Sequence, residues 1–147
     1  MVMTRRKLLR LIDRARIEEA IREAEQRTSG EICISVSSLF WGSVEKAAEK
    51  AFVRLGLAQT KQHNGLLLFV VPSRRRLVVL GDRGLQQKVS QKFWDRIIDK
   101  VTKRFRAGDF TGGLISGIEE ISQQLATDFP YDAASDVNEL PNAVEIK

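Results

Sequence analysis

The chain has 147 residues, 43% apolar and 29% charged, with a net charge of +5. That is the composition of a soluble globular protein, long enough for one core that buries roughly 70% of the unfolded surface. With Cys33 the sole cysteine, an internal disulfide is excluded, which fits a reducing compartment, and no apolar run reaches the roughly 18 residues of a membrane helix.

The first ten residues carry Arg5, Arg6, Lys7 and Arg10. The apolar patch Leu8, Leu9, Leu11, Ile12 is broken by Arg10 and is too short for a secretory core, so a cytoplasmic location is expected. The first helix is placed at Asp13, a capping residue, and continues through Arg27. Ile17, Ala20, Ile21 and Ala24 form its apolar stripe, and Gly30 is expected as a left-handed stop. Glu31 to Ser37 follows as a strand, with Ile32, Ile34 and Val36 on one face and Cys33 and Ser35 on the other.

Ser43 can cap a second helix with stripe Val44, Ala47, Ala48, Ala51, Phe52 and Leu55, closed by Gly56. Asn64-Gly65 then opens Leu66 to Val71, apolar at nearly every position and so covered on both faces. A turn at Pro72 and Arg74-Arg75-Arg76 leads to Leu77 to Leu80, making a hairpin. Strand, helix, strand implies a right-handed crossover and a parallel pair. After Gly84 one long helix is expected through Val89, Phe93, Ile97, Val101 and Phe105. Thr111 is expected to cap a last helix carrying Leu114, Ile118, Ile121 and Leu125. From Asp128 on, five acids face one lysine, a net −4 that leaves +9 on the body. This tail, 128–147, is expected to be disordered or extended, anchored by Phe129, Tyr131, Val137 and Leu140, beside a single domain spanning 1–127.

The order helix, strand, helix, strand, strand, helix, helix makes a three-layer α/β/α sandwich with a small, mostly parallel mixed sheet. Its topology brings Gly30, Glu31, His63, Asn64, Gly81, Asp82, Arg83 and Gly84 to one edge of the sheet. The opposite edge collects 37–43, 72–76 and the turn around Asp109.

These edge residues resemble the TPM domain family. The matching pieces are Ile17 to Glu25, then Thr28-Ser29-Gly30-Glu31-Ile32, Asn64-Gly65-Leu66-Leu67-Leu68, Gly81-Asp82-Arg83-Gly84-Leu85, and Phe105-Arg106-Ala107-Gly108-Asp109-Phe110. The tail, with Phe129-Pro130-Tyr131 and Asp136 to Pro141, is similar to a short, soluble bacterial branch. The resemblance implies an α/β sandwich. It also implies a calcium-like divalent ion held by loop carboxylates in some members, and acid phosphatase activity in a plant lumenal member involved in photosystem repair. Photosynthetic members carry acids where this chain has His63 and Gln91, so two candidate ligands of the family are missing.

Beside that implication stand the residues themselves. Glu31 and Asp82 offer hard oxygens to a metal and Asn64 a side-chain carbonyl. A metal so held could polarise a phosphoryl group; otherwise Glu31 is a solvated strand end and Asp82 a turn former. Gly81, Arg83 and Gly84 could present backbone N–H groups and a guanidinium to an anion. One histidine excludes a histidine-rich zinc site, and no Gly-x-Ser-x-Gly elbow supports a serine triad. Three functions remain open. One is a binding module for a divalent cation or a protein partner, and another is a metal-assisted phosphatase. The third is binding of an anionic surface or nucleic acid by the basic body, for which Arg74-Arg75-Arg76 lacks stacking aromatics.

Overall fold

A computed structural model describes residues 4–39, 41–132 and 143–147. In chain order the elements are α1 (Arg5–Leu11), α2 (Arg14–Glu25), β1 (Glu31–Val36), α3 (Val44–Arg54), β2 (Gly65–Val71), β3 (Arg76–Gly81), α4 (Arg83–Lys88), α5 (Gln91–Arg106), α6 (Phe110–Asp128) and β4 (Val144–Ile146). The sheet order is β3-β2-β1-β4. β1 runs parallel to β2 and β4, and β3 is antiparallel to β2. This is the expected mixed sheet, with a fourth strand added from the tail.

Strand alternation sorts the side chains into two layers. Ile32, Ile34, Val36, Leu66, Leu68 and Val70 pack under α1, α2, α5 and α6, with Phe105 and Leu114 fully buried there. Cys33, Leu67, Phe69 and Val71 face the other way, against Val44, Ala48 and Ala51 of α3. Every residue of β1 and β2 is buried, as a strand covered on both faces must be. Among the described residues no helix is long and apolar enough to cross a membrane.

The structure corrects several boundaries. Residues 5–11 are a helix capped by the Thr4 hydroxyl, which accepts from the Lys7 N–H, with Leu8 wholly buried. Gly30 is not left-handed: the glycines at positive φ are Gly42, Gly56 and Gly108. Gly30 is small because a Cβ there would stand 3.0 Å from Leu125 Cδ1. α2 ends at Glu25, short of the expected Arg27, and beyond it the Thr28 hydroxyl donates to the Phe129 carbonyl at 2.5 Å. The long helix expected after Gly84 is two helices, because the Ser90 hydroxyl caps α5 by accepting from the Phe93 N–H. Asp109, not Thr111, caps α6, its carboxylate accepting from the Gly112 N–H at 2.9 Å. Thr111 instead ties the helix to the start of α2, its oxygen accepting from the Asp13 N–H at 3.0 Å.

The tail returns to the sheet as β4, and Val144 and Ile146 are its buried anchors. Phe129 is buried as expected, whereas Tyr131 is exposed. Val137 and Leu140 lie outside the described residues.

Candidate functional site

The parallel and antiparallel pairings fix what meets at the rim where β1 and β2 begin and β3 ends. Glu31 pairs with Gly65 on one side, and Asp82 donates its N–H to the Gly65 carbonyl at 2.9 Å on the other. Glu31 and Asp82 therefore flank the same glycine, two strand spacings apart, or roughly 10 Å between Cα atoms. Alternation puts both on the α3 face, Glu31 with Cys33 and Asp82 with Val78 and Leu80. Gly65 has no side chain to separate them. Its vacant Cβ direction is taken by the backbone carbonyl of Leu57, which an added methyl would overlap. Glu31 and Asp82 thus stand on either side of a glycine against which the Leu57 carbonyl packs.

The neighbouring groups are held in place. Asn64 is 2% exposed. Its carbonyl accepts from the Glu31 N–H, and its side-chain amide donates to the Ser29 carbonyl at 3.2 Å. His63 adopts a left-handed backbone, φ 51°, which is uncommon for a side chain with a Cβ. Its Nδ1 lies 3.3 Å from Asp82 Oδ2, and its Nε2 lies 2.7 Å from an Arg83 guanidinium nitrogen. A guanidinium can only donate, so Nε2 accepts and the ring proton sits on Nδ1, donated to Asp82. The Asp82 carboxylate also caps α4, its Oδ1 accepting from the Arg83 N–H at 2.9 Å.

In the Gly81 to Gly84 loop, the Arg83 and Gly84 N–H groups are engaged within the fold. The Gly84 N–H donates to the His63 carbonyl at 2.9 Å, and the Gly81 carbonyl accepts from the Gln86 amide at 2.8 Å. What faces outward from Gly81, Arg83 and Gly84 is the exposed Arg83 side chain. Gln91 bonds to Asp95 at the start of α5.

Could this rim hold the divalent ion expected from the resemblance? Among the described residues no three of His, Cys, Asp and Glu gather around one point, so a site made of ionisable ligands alone is not formed. The oxygen set does suit a hard cation, which accepts backbone carbonyls alongside carboxylates. Glu31, Asp82 and the Leu57 carbonyl would hold it, with waters completing the shell. Sequence reasoning finds the two acids and misses the carbonyl packed against Gly65. The signal for it was Gly65 itself, since a glycine opening a strand marks a place where another backbone comes close.

The TPM domain model matches residues 2–124. Among solved structures, the BA42 protein of the psychrophilic bacterium Bizionia argentinensis is 33% identical, with a TM-score of 0.83 over 100% of this chain and 97% of that one. The N-terminal domain of a P. gingivalis protein is 25% identical, with a TM-score of 0.68 over 81% and 79% of the two chains. The N-terminal domain of a Corynebacterium glutamicum protein, at 14% identity and a TM-score of 0.56 over 89% and 76%, shares the fold alone. No curated protein matches. The family match stops before β4, whereas the likeness to BA42 runs through it.

Proposed function

The chain belongs to the TPM domain family, and on that premise we propose that it is a binding module that holds a calcium-like divalent cation at the rim, without turnover of its own. The observation that carries this reading is the shared flanking of Gly65 by Glu31 and Asp82, with the Leu57 carbonyl packed against that glycine. Two negative charges and a carbonyl oxygen supply the hard donors a group 2 ion takes. When bound, such an ion supplies concentrated positive charge at the surface, to which a carboxylate or phosphate of a partner can attach. His63 and Arg83 orient the Asp82 carboxylate by holding it against the start of α4. Buried Cys33, its thiol pushed up to about 12 by burial first and by the nearby Glu31 charge second, is not a nucleophile for turnover at the rim.

The test is a titration of the full chain with calcium, magnesium and zinc, followed by amide shifts, with a phosphomonoester assay on the same sample. We expect calcium to move residues 31, 57, 64, 65 and 82. Asp82→Asn and Glu31→Gln should each weaken binding at least tenfold, roughly 1.4 kcal/mol, with no turnover in either variant or in the native chain. Affinity unchanged in both variants would refute the site. Phosphate release that vanishes with Asp82→Asn would make the chain a phosphatase instead.

A further inference from the structure

The β1 edge of the sheet is closed by the chain's own residues 143–147, through contacts that come from four other elements. Arg54 of α3 grips Glu145 with both terminal nitrogens, at 2.6 and 2.9 Å. The Ser35 hydroxyl donates to the same carboxylate at 2.7 Å. Arg14 of α2 donates to the Val144 carbonyl at 2.7 Å, and Arg5 of α1 to the Ile146 carbonyl at 3.2 Å. Along β1, the Ile34 N–H donates to the Ala143 carbonyl at 2.7 Å and the Lys147 N–H to the Val36 carbonyl at 2.8 Å. Val144 and Ile146 turn into the helix-covered core, 2% and 4% exposed. Backbone pairing, two apolar sockets and a cationic clasp for the residue between them make up a recognition site for one short extended segment.

We propose that the β1 edge is a strand-docking groove for an extended apolar-Glu-apolar segment of a partner protein, which the chain's own tail occupies until the partner's segment replaces it. Three features separate this from an ordinary strand of the sheet. β4 has three residues, against six paired positions between β1 and β2, so β1 keeps its main partner when β4 leaves. β4 lies at the outer edge of the sheet and pairs with β1 alone, so no second strand has to part for it to leave. With the tail gone, Arg5, Arg14 and Arg54 converge on an edge of unpaired backbone groups. Charge complementarity then selects a segment with an acid between its apolar residues. A free segment competes against a tethered one whose effective concentration is in the millimolar range, so a test must first weaken the tether's grip.

In the full chain, Glu145→Ala removes the clasp from the tail and leaves Arg54 and Ser35 intact. The probe is an acetylated peptide of residues 143–147, followed by the amide shifts of Ser35, Val36 and Ser38. We expect saturable binding to Glu145→Ala at least tenfold tighter than to the native chain. Binding should fall at least tenfold when the peptide's glutamate is replaced by alanine, or when the chain also carries Arg54→Ala. No shift on β1 in a Glu145→Ala chain with a native spectrum would overturn the proposal. A concentration-dependent dimer by sedimentation would assign the segment to a second copy and overturn the partner. Should Glu145→Ala fail to fold, hydrogen exchange on the native chain decides. The Lys147 N–H, bonded to the Val36 carbonyl, must exchange at least a hundredfold faster than that of Leu68, and equal rates would make β4 a permanent strand.

Discussion

Gly65 sets the geometry of the rim more than either acid does. Its missing side chain lets the Leu57 carbonyl pack against the residue that Glu31 and Asp82 flank. In Gly65→Ala the new methyl would push against backbone on the far side, which cannot rotate away as a side chain could. We expect a loss of about 1–3 kcal/mol, the usual cost of overpacking, visible as a lower midpoint in urea with an unchanged slope. The cation affinity of the rim should fall in the same variant, since the carbonyl would be displaced. An unchanged midpoint would mean that Leu57 yields without cost. At this scale the acids were legible because carboxylates are written in the sequence. The Leu57 oxygen was not, because every residue carries a carbonyl and only the fold decides where it points. The left-handed backbone at His63 is hidden for the same reason, as is the bond from Arg83 that fixes the ring's tautomer.

Helix ends show where competing local signals were decided by tertiary contacts. Asp109 and Thr111 both suit a cap, and Asp109 takes that role because Thr111 is drawn to Asp13, 98 positions away in the chain. Ser90 interrupts a stripe whose period continues across it, so the pattern alone joined α4 to α5. β4 was missed because three residues are too few for a period and its pairing is with β1, far off in sequence. Its hold on the sheet is finely balanced. Burying Val144 and Ile146 contributes about 1.5–3 kcal/mol each, and ordering each residue of 143–147 costs about 1–2 kcal/mol. The backbone bonds to β1 and the polar clasp make up the difference, and the clasp is sensitive to acid. The Arg54 hydrogen bond, with smaller help from Ser35, holds the Glu145 carboxyl below the usual carboxylate range. A depressed native pKa adds stability that is fully present above the ordinary glutamate value of about 4.3 and is lost as pH falls through the native value. The Val144 and Ile146 methyl signals should therefore leave their native positions on acidification, before those of Leu66 and Leu68 move. Arg54→Ala should shift that change to higher pH. Coincident changes in all four residues would show that the tail has no acid response of its own.

Across the whole molecule, layer order and strand direction were legible because alternation within β1 and the double-sided apolar run of β2 leave one arrangement that covers both faces. The uneven charge was legible too, and part of the acidic tail does meet the basic body, through Glu145 and Arg54. How the two apolar layers depend on each other is a separate physical question. Ile34 belongs to the layer under α1, α2, α5 and α6, and Phe69 to the layer under α3, yet they sit on adjacent rungs of one ladder, opposite Leu68 and Ser35. Neither face can lose its packing without loosening strands that the other face needs. Ile34→Ala should cost about 2–5 kcal/mol and Phe69→Ala about 3–5 kcal/mol, each lowering one shared transition rather than splitting it. Trp94 is buried in the layer opposite Phe69, so in a Trp41→Phe background, free of the exposed second tryptophan, its fluorescence reads that coupling. In Phe69→Ala the Trp94 signal should fall at the same lowered urea concentration as the helical circular dichroism. A Trp94 midpoint left at its native value would show that α3 and its layer melt independently, and that the sheet does not transmit packing from one face to the other.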